Sequence, residues 1–239
     1  MFIPLYDVNR LKRIRLQYVT IALMAINIAI WLLLSRLPAG IGDVIVITGG
    51  FIPAVLFEHA LLPPTLDFLP KEASIVTYAF LHLDVWHLGS NLLFLWVFGD
   101  NVEDALGHGR FALFYLLCAA AGALFHGFVH PLSEGPLIGA SGAISGVVAA
   151  YLLLHPRVRL WTLVFFRIPL PLPAFVPLLL WIGQQVAMLL VDRQGMVSWG
   201  AHVGGILAGL VLVVILRQPG VPLLDREIVA PRALERRDD

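Results

Sequence analysis

Ser141 stands in Gly139-Ala140-Ser141-Gly142 at the head of an apolar run, and His202 stands early in another, in Ala201-His202-Val203-Gly204-Gly205. A serine hydroxyl is a poor nucleophile until a base within hydrogen-bond reach accepts its proton, so this pair suggests nucleophile and general base. His87 and Asn91 are four residues apart and share one helix face. They could donate hydrogen bonds to a developing oxyanion, as could the free N–H groups and positive dipole end of a helix that starts at Ser141. Each residue also has a plainer reading. Ser141 could be a helix cap, and His202 an interhelical hydrogen-bond residue. Ser145 lacks the glycine two positions before it and reads as a packing residue or a donor to a neighbouring helix. His126 and His130 have the spacing of metal ligands on a helix, but no third ligand and no HExxH accompanies them, so packing or an interface position is favoured. Cys118 is the only cysteine, which excludes a disulfide framework or a cysteine zinc site.

The elements that must bring these residues together are membrane spans. Of 239 residues 59% are hydrophobic and 13% charged, where a soluble domain carries roughly 45–50% and about 25%. A soluble enzyme of this size is therefore nearly excluded. Sixteen basic and sixteen acidic residues cancel, and nothing points to nucleic acid. Approximate spans are read at 16–35, 84–101, 110–130, 141–155, 172–191 and 197–216. Pro169, Pro171, Pro173 and Pro177 delay the regular part of the fifth to near Ala174. Residues 1–15 are then a cytoplasmic lead, 16–217 the membrane domain, and 218–239 a charged, proline-containing tail expected to be mostly disordered. Basic residues concentrate on one side: Arg10, Lys12, Arg13, Arg15, Arg110, Arg157, Arg159, Arg167, Arg217 and the arginines of the tail, against Arg36, Lys71 and Arg193 on the other. That asymmetry predicts cytoplasmic N and C termini. The long connection 37–83 lies outside, with a re-entrant or interfacial patch from Val44 to Phe57, and Leu160 to Phe166 is expected to lie on the inner interface. Gly142 and Gly146 beside Ser141, and Gly205 and Gly209 on the face of His202, have the small-xxx-small spacing that lets membrane helices approach closely.

Gly139-x-Ser141-Gly142, His87-x-x-x-Asn91 and Ala201-His202-x-Gly204-Gly205-x-x-x-Gly209, in this order on six spans, resemble the rhomboid intramembrane serine proteases over nearly the whole chain. The resemblance implies an all-α, six-transmembrane-helix bundle of the bacterial type, a multi-pass protein of the bacterial cytoplasmic membrane. It implies a Ser141–His202 dyad with no acidic third member, and an oxyanion and substrate-binding site of His87, Asn91 and Gly139. His82, Gly142 and Gly205 would support that site, and Glu103 would be a structural carboxylate. Two features depart from the family pattern. Many members carry an aromatic residue four positions after the nucleophile, to support the histidine, where this chain has Ser145. The tryptophan–arginine pair of some outer loops has no obvious equivalent. The implied reaction is hydrolysis of peptide bonds in or near transmembrane segments of other membrane proteins, within the lipid bilayer. Substrates would enter beside the fifth span, under a cap formed by Asp192 to Trp199. No metal or organic cofactor is implied, and the oligomeric state is left open. The rival readings are a catalytically silent rhomboid-like factor that binds membrane proteins for quality control, and a transporter, which would call for an internal repeat or a charged pathway that the sequence lacks.

Overall fold

Single residues set the helix boundaries in the computed structural model, which describes residues 2–38, 40–66, 68–164, 167–192 and 197–225. After strand β1 (Phe2–Asp7) come α1 (Tyr18–Leu34), α2 (Ile41–Gly49), α3 (Pro53–Leu56) and α4 (Ser74–Thr77). Then follow α5 (Val85–Leu106), α6 (His108–Val129), α7 (Ser141–Leu154), strands β2 (Arg159–Val164) and β3 (Ile168–Pro173), α8 (Phe175–Val191) and α9 (Trp199–Leu216). Asp84 caps α5 by accepting hydrogen bonds from the backbone N–H groups of Trp86 and His87, both at 2.8 Å. Gly107, with φ 81°, turns the chain straight from α5 into α6.

α1 has no side-chain cap of its own. Glu103 of α5 replaces it, accepting from the N–H groups of Val19 at 3.0 Å and Thr20 at 2.8 Å and from the Thr20 hydroxyl at 2.7 Å. The neighbouring Asp104 accepts from the N–H groups of Lys12, Arg13 and Ile14. Glu103 thus satisfies donors that the start of α1 would otherwise leave unpaired, and Asp104 those of the segment before it, so that both fasten the N-terminal segment to the bundle.

The fold is mostly helical, and among the described residues its longest helices are α1, α5, α6, α7, α8 and α9. Among the described residues, α6 and α9 are the helices long and apolar enough to cross a membrane, whereas α1, α7 and α8 are apolar but have 17, 14 and 17 residues. α5 has 22 residues and carries Asp100, Glu103 and Asp104 in its last turns. At 1.5 Å per residue α7 is only about 21 Å long, shorter than a hydrocarbon core of about 30 Å. It lies inside protein instead: every residue from Gly142 to Tyr151 is buried, as is Leu154. A helix that is apolar on all sides must be surrounded in this way.

The expectation of an all-α protein is corrected by a three-stranded antiparallel sheet, ordered β1-β2-β3. The segment from Leu160 onwards does not lie singly on an interface. It pairs with Ile168–Pro173 on one side and with the chain's first residues on the other, which satisfies backbone groups that a lone strand would leave open. Pro169, Pro171 and Pro173 alternate along β3, so the N–H groups they lack belong to one side, and on an edge strand that side is the free edge. The prolines thus form a strand before α8 begins at Phe175, as the sequence required of the helix. The sheet joins the bundle through Asp7. Its carboxyl accepts from the Tyr151 hydroxyl at 2.6 Å and the Asn101 amide at 3.1 Å, and burial pushes its pKa up to about 7.

The expectation for the tail is also corrected in part. Gln218 donates its N–H to the Ala105 carbonyl, Leu224 and Asp225 donate to the carbonyls of Leu153 and Leu154, and Val221 is buried. Val221 and Leu223 of this segment pack into the core. Residues 226–239 lie outside the described residues.

α9 packs most extensively on α6 and α7, with glycines at the contacts. A Cβ at Gly205 would collide with the Gly142 carbonyl, and one at Gly209 with the Gly146 carbonyl. A Cβ at Gly204 would stand 2.8 Å from the Ala121 carbonyl of α6. Gly183, on the exposed face of α8, has nothing within 4 Å of a Cβ position. Gly205→Ala should therefore destabilise the protein by about 1–3 kcal/mol through overpacking against backbone. Gly183→Ala should be neutral or stabilise by up to about 1 kcal/mol. Thermal unfolding of the two variants in detergent checks this, and equal melting temperatures would contradict it.

Candidate active site

Ser141 is the first residue of α7, so its position depends on the strand-like segment leading into that helix. Leu137 exchanges backbone hydrogen bonds with Phe51 at 3.0 and 2.8 Å. Gly139 donates its N–H to the Tyr78 carbonyl at 2.9 Å, and the Tyr78 hydroxyl donates to the Ala119 carbonyl of α6 at 2.8 Å. The Ala140 N–H meets His82 Nε2 at 3.5 Å. The long connection between α1 and α5 thus serves as the support for residues 137–140. The first intrahelical bond of α7 runs from the Ile144 N–H to the Ala140 carbonyl. The N–H groups of Ser141, Gly142 and Ala143 therefore have no intrahelical acceptor, which makes this helix end suited to a negative oxygen.

His202 lies in the first turns of α9 and reaches Ser141. The Ser141 hydroxyl and His202 Nε2 are 2.8 Å apart. The approach depends on Gly142, whose Cα faces the Tyr78 hydroxyl and the Ala201 carbonyl, and on Gly205, which sits over the Gly142 carbonyl.

The other imidazole nitrogen, Nδ1, lies 2.8 Å from Oε1 of Gln185 on α8. Gln185 is only 3% exposed, and its amide donates to the Trp181 carbonyl at 3.0 Å. Two tryptophans frame the ring. Trp181 stacks on His202 with centroids 6.4 Å apart and planes at 26°, and Trp199 meets it edge-on at 5.9 Å and 90°. The aromatic support that Ser145 cannot provide thus comes from α8 and from the start of α9. The sequence reading missed Gln185 and Trp181, and read Trp199 only as an interface or packing aromatic. A glutamine in an apolar helix was the available signal.

His87 lies against the loop before Ser141, with its Nε2 only 2.5 Å from where a Gly139 Cβ would be. Gly139 has φ 115°, so it meets two constraints that only glycine satisfies. Asn91 is buried and donates to the His87 carbonyl at 2.8 Å, so its amide is fixed along α5. The His82 and His87 rings meet edge to face, with centroids 5.1 Å apart. His87, Gly139 and His82 therefore form one contiguous group beside Ser141.

Ser145 is buried, and its hydroxyl donates to the Ser141 carbonyl one turn back at 2.6 Å. Of the two readings of Ser145, the packing residue is the one seen, and its hydrogen bond stays within α7. His126 and His130 contact each other with ring centroids 5.1 Å apart, and among the described residues no third metal-ligating side chain joins them. Of the expected cap, Asp192 accepts from the Trp199 indole at 2.7 Å, while residues 193–196 lie outside the described residues.

A mostly helical bundle that holds a serine at a helix start against a histidine on the next helix but one defines a class of protein, and the sequence comparisons agree with it. Residues 71–219 match the family description "Rhomboid domain". The chain belongs to the rhomboid family. It is 35% identical over 148 residues to Rhomboid protein 1, mitochondrial, of Saccharomyces cerevisiae, covering 60% of this chain and 42% of that protein. RHOMBOID-like protein 12, mitochondrial, of Arabidopsis thaliana is 30% identical over 148 residues, covering 55% and 43%. Rhomboid protease GluP of Bacillus subtilis is 32% identical over 145 residues, covering 61% and 26%. The matched region spans less than half the length of each of these relatives. The Bacillus name is that of a protease; the two mitochondrial names state no activity. Those mitochondrial names overturn the expected bacterial cytoplasmic membrane: the features read as bacterial are shared with proteins of another compartment.

The contact between His87 and Gly139 yields a direct check. Gly139→Ala should cost about 1–3 kcal/mol of stability from backbone strain and collision with the imidazole. His87→Ala should remove part of that cost, giving a coupling of about 0.5 kcal/mol or more in a double-mutant cycle. Strict additivity in thermal unfolding would contradict the contact.

Proposed function

We propose that this rhomboid is an intramembrane serine endopeptidase in which Ser141 and His202 form the reacting dyad. The observation that carries the reading is the 2.8 Å contact between the Ser141 hydroxyl and His202 Nε2 at the start of a buried helix. Family membership and the protease name of the Bacillus relative support it. Ser141 Oγ attacks the peptide carbonyl while His202 Nε2 accepts its proton. The tetrahedral oxyanion develops beside the free N–H groups of the α7 start, with His87 and Asn91 as further donors and Gly139 leaving room for the substrate backbone. His202 then passes the proton to the leaving amine, and water activated by the same nitrogen hydrolyses the acyl-enzyme.

The proposed setting is a bilayer crossed by all six long helices, with residues 16–217 as the membrane domain. Its support is the outward apolar surface. Leu33, Leu180, Leu190 and Ile215 on α1, α8 and α9 are each more than 60% exposed, which in water would be an aggregation hazard. The short α7 starts at its end away from Asp7 and Asp225, which bond to Tyr151 and Leu154 near its other end. A site at the starting end would be reached by water from one face of the bilayer. Substrates are then transmembrane segments of other proteins, cut where small or helix-breaking residues let the peptide bond leave its helical hydrogen bond.

Reconstitution of the purified protein in liposomes with a tagged single-span substrate tests this reading. Ser141→Ala and His202→Ala should each lower the cleavage rate by about a thousandfold or more. Full cleavage by either variant would overturn the dyad. Capture of the substrate without cleavage by the wild type would favour a non-enzymatic binding role instead.

A further inference from the structure

We infer that Gln185 is the positioning residue for His202, occupying the place that an acidic third member takes in a triad. The inference rests on the reading of Ser141 and His202 as the reacting pair. A backbone carbonyl can only accept, so the Gln185 group 3.0 Å from the Trp181 carbonyl must be its NH2, and the group facing His202 Nδ1 at 2.8 Å must be its carbonyl oxygen. That oxygen can only accept. Nδ1 must therefore carry the proton, and Nε2 is left with its lone pair toward the Ser141 hydroxyl at 2.8 Å. This is the tautomer a general base needs. In the opposite tautomer two lone pairs would face each other at Nδ1, and the Nε2 hydrogen would point at the serine whose proton has to be taken.

Burial keeps the arrangement in place. Gln185 is 3% exposed, so water does not compete for its oxygen, and Trp181 both accepts the amide hydrogen and stacks on the imidazole. Trp181 and Gln185 are one turn apart on α8, so a single helix face fixes ring plane, ring rotation and protonation site together. Glutamine stays neutral, so it orients the base without adding a buried charge to an apolar helix. As the imidazolium forms, the Nδ1–H···O bond strengthens, because its donor becomes charged.

The test uses the full-length protein in liposomes with the single-span substrate. Gln185→Met keeps the shape and removes the carbonyl acceptor. Its kcat should fall by about ten- to a hundredfold while KM stays within about twofold, as for other residues that orient a reacting group from behind. Gln185→Glu should hold kcat within about threefold of the wild type, since the neutral acid can still accept from Nδ1–H and donate to the Trp181 carbonyl. A wild-type kcat in Gln185→Met would overturn the inference, as would equal losses in the two variants. Nitrogen-15 NMR of His202 in the wild type requires no variant to fold. It should report protonated Nδ1 and unprotonated Nε2, and the reverse would overturn the inference. Ser141→Ala, run in parallel, separates the two levels. If it cleaves, the dyad fails; if it is inert while Gln185→Met is fully active, the dyad stands and the positioning role fails.

Discussion

The close approach of α7 and α9 is the constraint on which the rest of this structure depends. Gly205 rests on the Gly142 carbonyl and Gly209 on the Gly146 carbonyl, so the two backbones meet without side chains between them. In a bilayer no hydrophobic force drives such helices together, and packing at small residues must supply the attraction. Only at that separation does His202, early in α9, fall within hydrogen-bond reach of Ser141 at the start of α7. A side chain at Gly205 or Gly209 would collide with the facing backbone of α7 and force the two helices, and with them Ser141 and His202, apart.

A second consequence concerns the length of α7. A helix of 14 residues cannot cross alone, yet here it does not have to. The chain before it, from Leu137 to Ala140, is held by Phe51, Tyr78 and His82 of the long connection. That connection is an indispensable part of the site: it fixes the height of Ser141 within the bundle and pairs the backbone groups of a non-helical stretch surrounded by protein. At the opposite end, Glu103, Asp104 and Asp7 do equivalent work for the terminal segments, each carboxylate accepting from backbone or from Tyr151 and Asn101. Polar residues at the two ends therefore have different tasks, to fasten the chain at one and to hold the segment before Ser141 at the other.

Much of this was legible in the sequence, for identifiable reasons. The longer helices among the described residues follow largely from apolar runs with clear punctuation, such as Asp84 before α5, Gly107 after it and the prolines before α8. Ser141, His202 and the glycines beside them were legible because polar and small residues stand out in apolar runs. The sheet was not, because prolines at 169, 171 and 173 read as helix breakers and only the partner strands show that their alternation suits an edge. The packing of 218–225 was hidden by its prolines and by the charged sequence that follows it. Gln185 was hidden by Gln184 beside it: one of the two faces outward and one is buried, and only the helix rotation decides which. The substitution of Ser145 at the usual aromatic position suggested that support for His202 must come from elsewhere, but not from which helix.

The central claim is that Ser141, and no other hydroxyl, is made nucleophilic by its surroundings. Treatment of the folded protein with a fluorophosphonate, followed by peptide mass spectrometry, tests it most directly. The account predicts one covalent adduct, on Ser141, which is lost when the protein is unfolded before treatment. An adduct on Ser145, or none on the folded protein, would contradict it.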